Sequence, residues 1–441
     1  MGVSLKRELG LLECVAYGVG IILGAGIYAL IAVAADLAGA ALWAAFAIGA
    51  LVAMLTGLSY AELSSMFPRA AAEYVYVREA LGSELLAFLV GWLILATGVT
   101  SAATVALGFA GYLREMLGLA EWCNAPLAVL LIALLSALNY AGIKESAKVN
   151  IACTLAEVLG LLVVILVGLP RLGTVNYLEA PRGLEGVLSA ASIAFFAYIG
   201  FEDIANVAEE TRNPERNVPA AILLAVLISA AIYVLVSLCS VSVVPWSELA
   251  RSDAPLALVA SRALGRGAQL LLSVIALFST SNTVLVALIV GSRMAWGMAR
   301  DGSLPRPLSL VDPRRGTPWV SILCTGAFSA LFTLVGDIAV AAALASFGVF
   351  VTFLLVNLSA LLLRLKDPLR ERPFRMPLSV GGVSLIPLLG ALSCLMLAAQ
   401  FDLFVIAVGL ATVVSGLPAY YALAKSRYRS RRFARRHGAP R

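Results

Sequence analysis

Apolar residues dominate this chain in stretches of about 20, broken by short polar connections. A helix of about 20 residues, at 1.5 Å per residue, matches the roughly 30 Å hydrocarbon layer of a bilayer. Twelve such runs can be read, over 11–37, 41–66, 83–113, 125–143, 148–170, 186–207, 219–243, 267–298, 318–335, 338–363, 380–399 and 401–424. They predict an all-α integral membrane protein with one transporter-like domain over 1–424 and a basic tail over 425–441. Two runs, the first and the sixth, are interrupted by residues that a simple lipid-crossing helix does not need. Five spans separate the two interruptions. Five is odd, so a second unit starting there enters from the opposite side of the membrane. The pattern therefore predicts inverted repeats over about 11–170 and 186–363, with helices over 380–424 appended.

Composition agrees with this class: 61% of the 441 residues are hydrophobic, 13% are charged, and mean hydropathy is +0.95. No soluble core absorbs that much apolar surface. The net charge of +6 would suit nucleic acid, but its placement argues for a membrane instead. With the N-terminus inside, the outside connections hold only Arg114, Arg171, Arg182, Arg251, Arg262 and Arg266 of the 32 Lys and Arg. That bias puts both termini in the cytoplasm of a multi-pass cell-membrane protein. The basic tail then lies near anionic headgroups, and no nucleic-acid partner is expected. Lys6 and Arg7 precede a run too long for a signal peptide, so it is read as a retained first span. The six cysteines show no CxxC spacing, and the one histidine, His437, is in the tail. Zinc chemistry and histidine catalysis within the membrane are thereby excluded. No GxxxxGK[ST] loop supports ATP-driven transport.

The first interruption is the string GVGIILGAGIY, with Gly18, Gly20, Gly24 and Gly26. Gly20 and Gly24 form a GxxxG, which on its own reads as close helix packing. Gly24, Ala25 and Gly26 add three small residues in a row. Unwinding there leaves amides at the start of the following half-helix, through Ile27, free to bind an anion such as a carboxylate. Tyr28 would wall the site. The sixth run holds Phe195, Phe196, Ala197, Tyr198, Ile199, Gly200 and Phe201, then Glu202 and Asp203 at depth. A charge at mid-bilayer costs about 2.5–3.5 kcal/mol on insertion scales, so these acids are functional candidates. Unwinding near 196–200 would free the carbonyls of Phe196, Ala197 and Ile199 for an ammonium group. Tyr198, Phe201 and Glu202 would gate it. An aromatic stripe packed in the core is the plain alternative. Amides from one break and carbonyls from the other together suit an α-amino acid.

Glu157 lies near the middle of the fifth run. Asn150, Thr154, Glu157 and Gly160 are spaced by four, three and three, so they share one helix face. Burial there disfavours the ionised carboxyl, which suits binding and releasing a proton near neutral pH. A structural acid bonded to a neighbouring helix is the competing reading. The eighth run carries Ser279, Thr280, Ser281, Asn282 and Thr283 in sequence. These hydroxyls either bond back to their own helix or join an ion-linked network.

These residues resemble the amino acid–polyamine–organocation transporters, of the amino acid permease type. The resemblance rests on GVGIILGAGIY, on FFAYIGFEDIANVAEETRNPERNVPAAI, on GSRMAWGMARDGSLP and on RPFRMP, and it covers essentially the whole chain. It implies a LeuT-type 5+5 inverted repeat plus two extra helices, with spans 1 and 6 unwound at the middle. It also implies that Gly24, Ala25 and Gly26 offer amides to a substrate carboxylate. Phe196, Ala197 and Ile199 would offer carbonyls to its amine, with Phe201 near the gate. Some members carry a lysine in span 5 in place of a sodium ion, whereas this chain has Glu157. The coupling ion is then a proton or possibly sodium, with no other cofactor and no catalysis, and with Glu157, Ser279 and Thr280 as its candidate site. Glu209, Glu210, Arg212 and Arg216 could latch the inner end through Arg293 or Arg300, or form a solvated loop. A proton-coupled amino acid transporter working by alternating access is expected. An exchanger, a channel or a sensor using the same pocket remain alternatives. With no acid in span 3 to meet a cationic side chain, a neutral or broad substrate range is favoured.

Overall fold

The chain's first helix starts where Glu13 Oε2 accepts the Gly10 amide at 3.0 Å, which satisfies one free donor at its N-terminus. A computed structural model describes residues 5–252, 254–265, 267–335, 338–380, 383–399 and 403–436. The side chains of the basic tail, expected over 425–441, lie outside the described residues.

The helices follow in chain order: α1 (Leu11–Ile22), α2 (Ala25–Ala38), α3 (Leu42–Met66), α4 (Ala72–Leu81), α5 (Glu84–Leu117) and α6 (Asn124–Ala141). Then come α7 (Ile143–Gly168), α8 (Gly183–Phe196), the single turn α9 (Asp203–Asn206), α10 (Pro214–Val243), α11 (Trp246–Leu249) and α12 (Pro255–Leu264). The last are α13 (Gly267–Arg300), α14 (Trp319–Val335), α15 (Ile338–Lys366), α16 (Ile386–Ala398) and α17 (Leu403–Arg436). Each expected run carries helix. Among the described residues, nine helical stretches are long and apolar enough to cross a membrane. The protein is an all-α membrane protein.

Three features depart from the pattern reading. The connections after the second and seventh runs fold into α4 and into α11 and α12. The fifth run starts at Ile143 rather than 148, because its polar first turn is helical as well. The run expected over 380–399 opens with paired two-residue strands, β1 (Ser379–Val380) and β2 (Val383–Ser384), antiparallel with Ser379 opposite Ser384. Its helix waits for Ile386, where Pro387 sits in the first turn and its missing N–H costs nothing.

Polarity runs opposite to that of a soluble protein. Leu159 and Leu166 are more than half exposed on the outer face of α7, while Glu157 on the inner face is fully covered. Leu51, Leu227 and Leu323 repeat the outward apolar pattern on α3, α10 and α14. The centre is built where α1 packs on α10 and α7, α3 on α10 and α8, and α13 on α5 and α7. The pairs α3 with α10 and α5 with α13 join runs five apart in the expected order.

Candidate functional site

Both interruptions are real breaks in the helices, and they meet. The Leu23 amide still bonds Val19 O at 2.8 Å, but Gly24 turns extended (ψ −157°) and α2 restarts at Ala25. The first amides of α2, at Ala25, Gly26 and Ile27, therefore have no acceptor one turn back. Glycine is required here for approach. A Cβ on Gly26 would sit 3.2 Å from Ala197 Cα, and one on Gly24 would sit 2.7 Å from Thr283 Oγ1. The packing reading of GxxxG also holds, since a Cβ on Gly20 would reach Thr154 Oγ1 at 2.0 Å.

The second break runs from Ala197 to Glu202, between α8 and α9. Gly200 takes φ +123°, which only glycine adopts readily. Its amide donates to Glu202 Oε2 at 2.8 Å, so Glu202 caps the break from within. The carbonyls depart from expectation. Phe196 O accepts the Ile199 amide at 3.3 Å, and Ala197 O accepts the Tyr233 hydroxyl at 3.1 Å. Tight three-residue turns replace the open loop that the sequence suggested, so one of the three acceptors is engaged and a second, Ala197 O, shares the Tyr233 proton with another carbonyl. Tyr233 on α10 also donates to Ile22 O beside the first break. Sequence reading missed this residue, although it is the one tyrosine in that apolar run.

A cavity of about 310 Å³ opens where the breaks meet. Gly26, Phe196, Ala197, Ile199, Gly200 and Thr283 line it, with Ile94, Val105, Val290 and Val349 supplying apolar wall. Gly24, Ala25 and Ile27 lie behind this lining. Phe201 is fully buried against Tyr60 and Phe353. Tyr198 is likewise buried, and its hydroxyl donates to Phe46 O at 3.0 Å, behind the site rather than at its mouth. Tyr28 sits near Gly160, its hydroxyl unpaired and covered.

The cavity's lower end carries three carboxyls, Glu73, Glu202 and Asp203. Glu73 comes from α4, outside the spans, and sequence reading passed over it. Asn206 Nδ2 donates to both its oxygens at 3.3 and 3.1 Å, and Tyr60 to one at 3.3 Å. Burial pushes the Glu73 carboxyl up to about 7 from 4.5, against these bonds. The folded protein thus holds the proton more tightly than the unfolded chain, so this group's contribution falls as pH rises between about 4.5 and 7. Glu73→Gln should remove that loss. Its melting temperature relative to wild type should climb from about pH 5 to about pH 8, as followed by thermal unfolding in detergent. A constant difference would refute the assignment.

A second polar group lies behind α1. Asn150, Thr154 and Glu157 are all buried on one face of α7, as the spacing predicted. Asn150 Nδ2 donates to Asn282 Oδ1 at 2.7 Å, and Asn282 Nδ2 reaches Glu157 Oε1 at 3.3 Å. Thr154 Oγ1 donates to Ala16 O at 3.2 Å, which ties α1 into the group. Glu157 Oε2 and Ser279 Oγ are both covered, and the Ser279 hydroxyl lies close enough to act on the Glu157 carboxyl. Thr280 is different. Its hydroxyl bonds back to Ala276 O at 2.8 Å and so serves its own helix.

Glu209 and Glu210 pair with Arg300 and Arg293, as one of the two readings expected. Arg293 Nε and Nη2 meet Glu210 Oε2 and Oε1 at 2.9 and 2.8 Å, with both side chains buried. Arg300 reaches Glu209 at 2.6 Å, and Asp301 bridges Arg69 and Arg78 at 2.9 and 2.5 Å. The RPFRMP segment is fixed separately: Arg364 pairs with Glu62, and the Met376 amide bonds Glu62 Oε2 at 2.8 Å.

Two helices are thus broken at a shared cavity inside an apolar bundle. The chain matches the amino acid permease family model over residues 9–424 and belongs to that family. It is 32% identical to the branched-chain amino acid permease of Bacillus subtilis over 438 residues, covering 95% of this chain and 93% of the relative. It is 31% identical to the methylthioribose transporter of Bacillus subtilis, covering 89% and 88%. It is 33% identical to the vacuolar cationic amino acid transporter 4 of Arabidopsis thaliana, covering 83% and 64%.

Proposed function

We propose that the protein is a secondary active transporter of amino acids in the plasma membrane, with both termini cytoplasmic. It works by alternating access and is coupled to protons. The observation that carries this reading is the meeting of α2's free first-turn amides with the second break across one cavity. The amides suit a carboxylate, and the Ile199 carbonyl with the nearby carboxyls suits an ammonium. The apolar wall then takes an uncharged side chain. The two inverted repeats supply the rocking elements, and Glu157, between α1, α7 and α13, exchanges the proton. Sodium is the alternative ion, and exchange without net ion flow is the alternative mode. The methylthioribose transporter among the relatives favours testing a substrate that is not an amino acid as well.

The test is a thermal-shift screen of the purified protein against the twenty amino acids and methylthioribose, at two pH values, with and without sodium. Uptake in proteoliposomes should follow for each hit. Stabilisation by methylthioribose alone would overturn the amino acid reading. Gly26→Leu should abolish the substrate-induced shift, because its side chain enters the cavity beside Ala197. A normal shift in that variant would put the binding site elsewhere.

A further inference from the structure

A second, larger cavity opens on the outer surface, away from the transport site. It is a groove of about 560 Å³ between α6 and α14. Val129, Ala133, Ser136 and Tyr140 line one wall at helical spacing. Trp319, Leu323, Gly326 and Ala330 line the other. The helices approach closely at Gly326, where a Cβ would sit 2.5 Å from Ser136 Oγ. Beside that contact the exposed residues Ala133, Ala137 and Ala327 are too small to fill the gap. From Val129 to Tyr140 the groove runs about 16 Å at 1.5 Å per residue. That is roughly one leaflet, half of the about 30 Å hydrocarbon layer.

Its mouth is chemically distinct. Tyr140 and Trp319 form an aromatic rim of the kind found at membrane interfaces. The Arg315 guanidinium lies 4.2 Å over the Tyr140 ring. Arg314 is exposed beside it, and Lys6 donates to Arg314 O at 2.5 Å. The carboxylate there, Asp312, already accepts the Tyr140 hydroxyl at 2.8 Å and the amides of Arg314 and Arg315 at 2.8 and 3.1 Å. Lys6, Arg314 and Arg315 thus leave the mouth cationic, directly above an apolar trough.

We propose that this groove is a binding site for an anionic phospholipid. One acyl chain lies between α6 and α14, and the phosphate rests on Arg314 and Arg315. Length, apolar lining, aromatic rim and charge all match one lipid of the leaflet on the N-terminal side. A partner helix would match the trough but leave the cationic rim unused.

Native mass spectrometry of the full chain with added phosphatidylglycerol or phosphatidylcholine tests this. Phosphatidylglycerol adducts should persist at collision energies that strip phosphatidylcholine. Arg314→Ala and Arg315→Ala should each lower phosphatidylglycerol occupancy by about fivefold, the effect of one basic residue near an anionic surface. Ala327→Phe and Ala137→Phe, at exposed positions, should fill the trough and abolish retention without loss of monodispersity. Leu392→Phe, on the outward face of α16, should retain the lipid. Equal retention of the two lipids, undiminished retention in both trough-filling variants, or a dimer in place of lipid adducts would overturn the proposal.

Discussion

Glu157→Gln is expected to erase the dependence of uptake on a proton gradient while leaving substrate binding intact. The carboxyl is fully buried, one oxygen meets Asn282 Nδ2 at 3.3 Å, and the Ser279 hydroxyl acts on the same carboxyl. Glutamine keeps the acceptor that Asn282 uses and cannot take up or release a proton. It also preserves volume, so the packing of α7 on α1 and α13 should survive. One pH unit of gradient is worth about 1.36 kcal/mol, so a one-proton carrier can accumulate substrate about tenfold on it. The variant should equilibrate substrate without accumulating it. The amino-acid-induced thermal shift should stay, because Glu157 does not line the cavity. A tenfold accumulation that persists in proteoliposomes of Glu157→Gln would remove this residue from the coupling step. An ion must favour one conformation through differential contacts to drive transport. The Glu157 carboxyl joins α7 to α13 through Asn282, and the same polar group reaches α1 through Thr154.

Arg293→Met is expected to be the most destabilising single change where α13 meets the 208–212 segment. Arg293 and Glu210 are fully buried and bidentate, and Asn139 accepts a further guanidinium bond. Removing the cation leaves the Glu210 carboxylate uncompensated at about 3–5 kcal/mol, whereas replacing both partners by apolar groups is often near neutral. Thermal unfolding should therefore rank Arg293→Met well below the double variant Glu210→Met with Arg293→Met. If the double variant unfolds as early as the single one, the pair is not the latch. The backbone adds to the same junction, since the Glu8 and Leu9 amides bond Glu210 O at 2.9 and 3.0 Å and the Arg212 amide bonds Leu9 O at 2.8 Å. Opening this junction would break the ion pair and the short backbone pairing together.

Much of this was legible in the sequence because the membrane makes polarity informative. In a chain this apolar, every glycine pair and every acid at depth stands out, and both breaks and the inward face of α7 could be located from spacing alone. The latch was also visible, as the acids of EETRNPERN and the arginines ending α13. The details of the second break were not. Whether a freed carbonyl stays free depends on neighbours distant in sequence, and here a tightened turn took one of them and Tyr233 on α10 shares its proton with a second. The packing of Tyr198 and Phe201 was not legible either, because aromatic residues beside a break look alike in one dimension; Tyr198 bonds α3, and Phe201 packs on α3 and α15. Glu73 escaped because it lies in a connection, where an acid is ordinary until α4 folds it under the cavity. The strands β1 and β2 escaped because two-residue pairings leave no period to read.

Tyr233 reaches a carbonyl at each break, Ile22 O and Ala197 O, but a phenol has one proton to donate. At any moment it can fully satisfy one of them and leaves the other short of a donor. The two half-helix ends therefore compete for a single hydrogen, and whichever carbonyl loses it is left as an acceptor at the centre of the bundle.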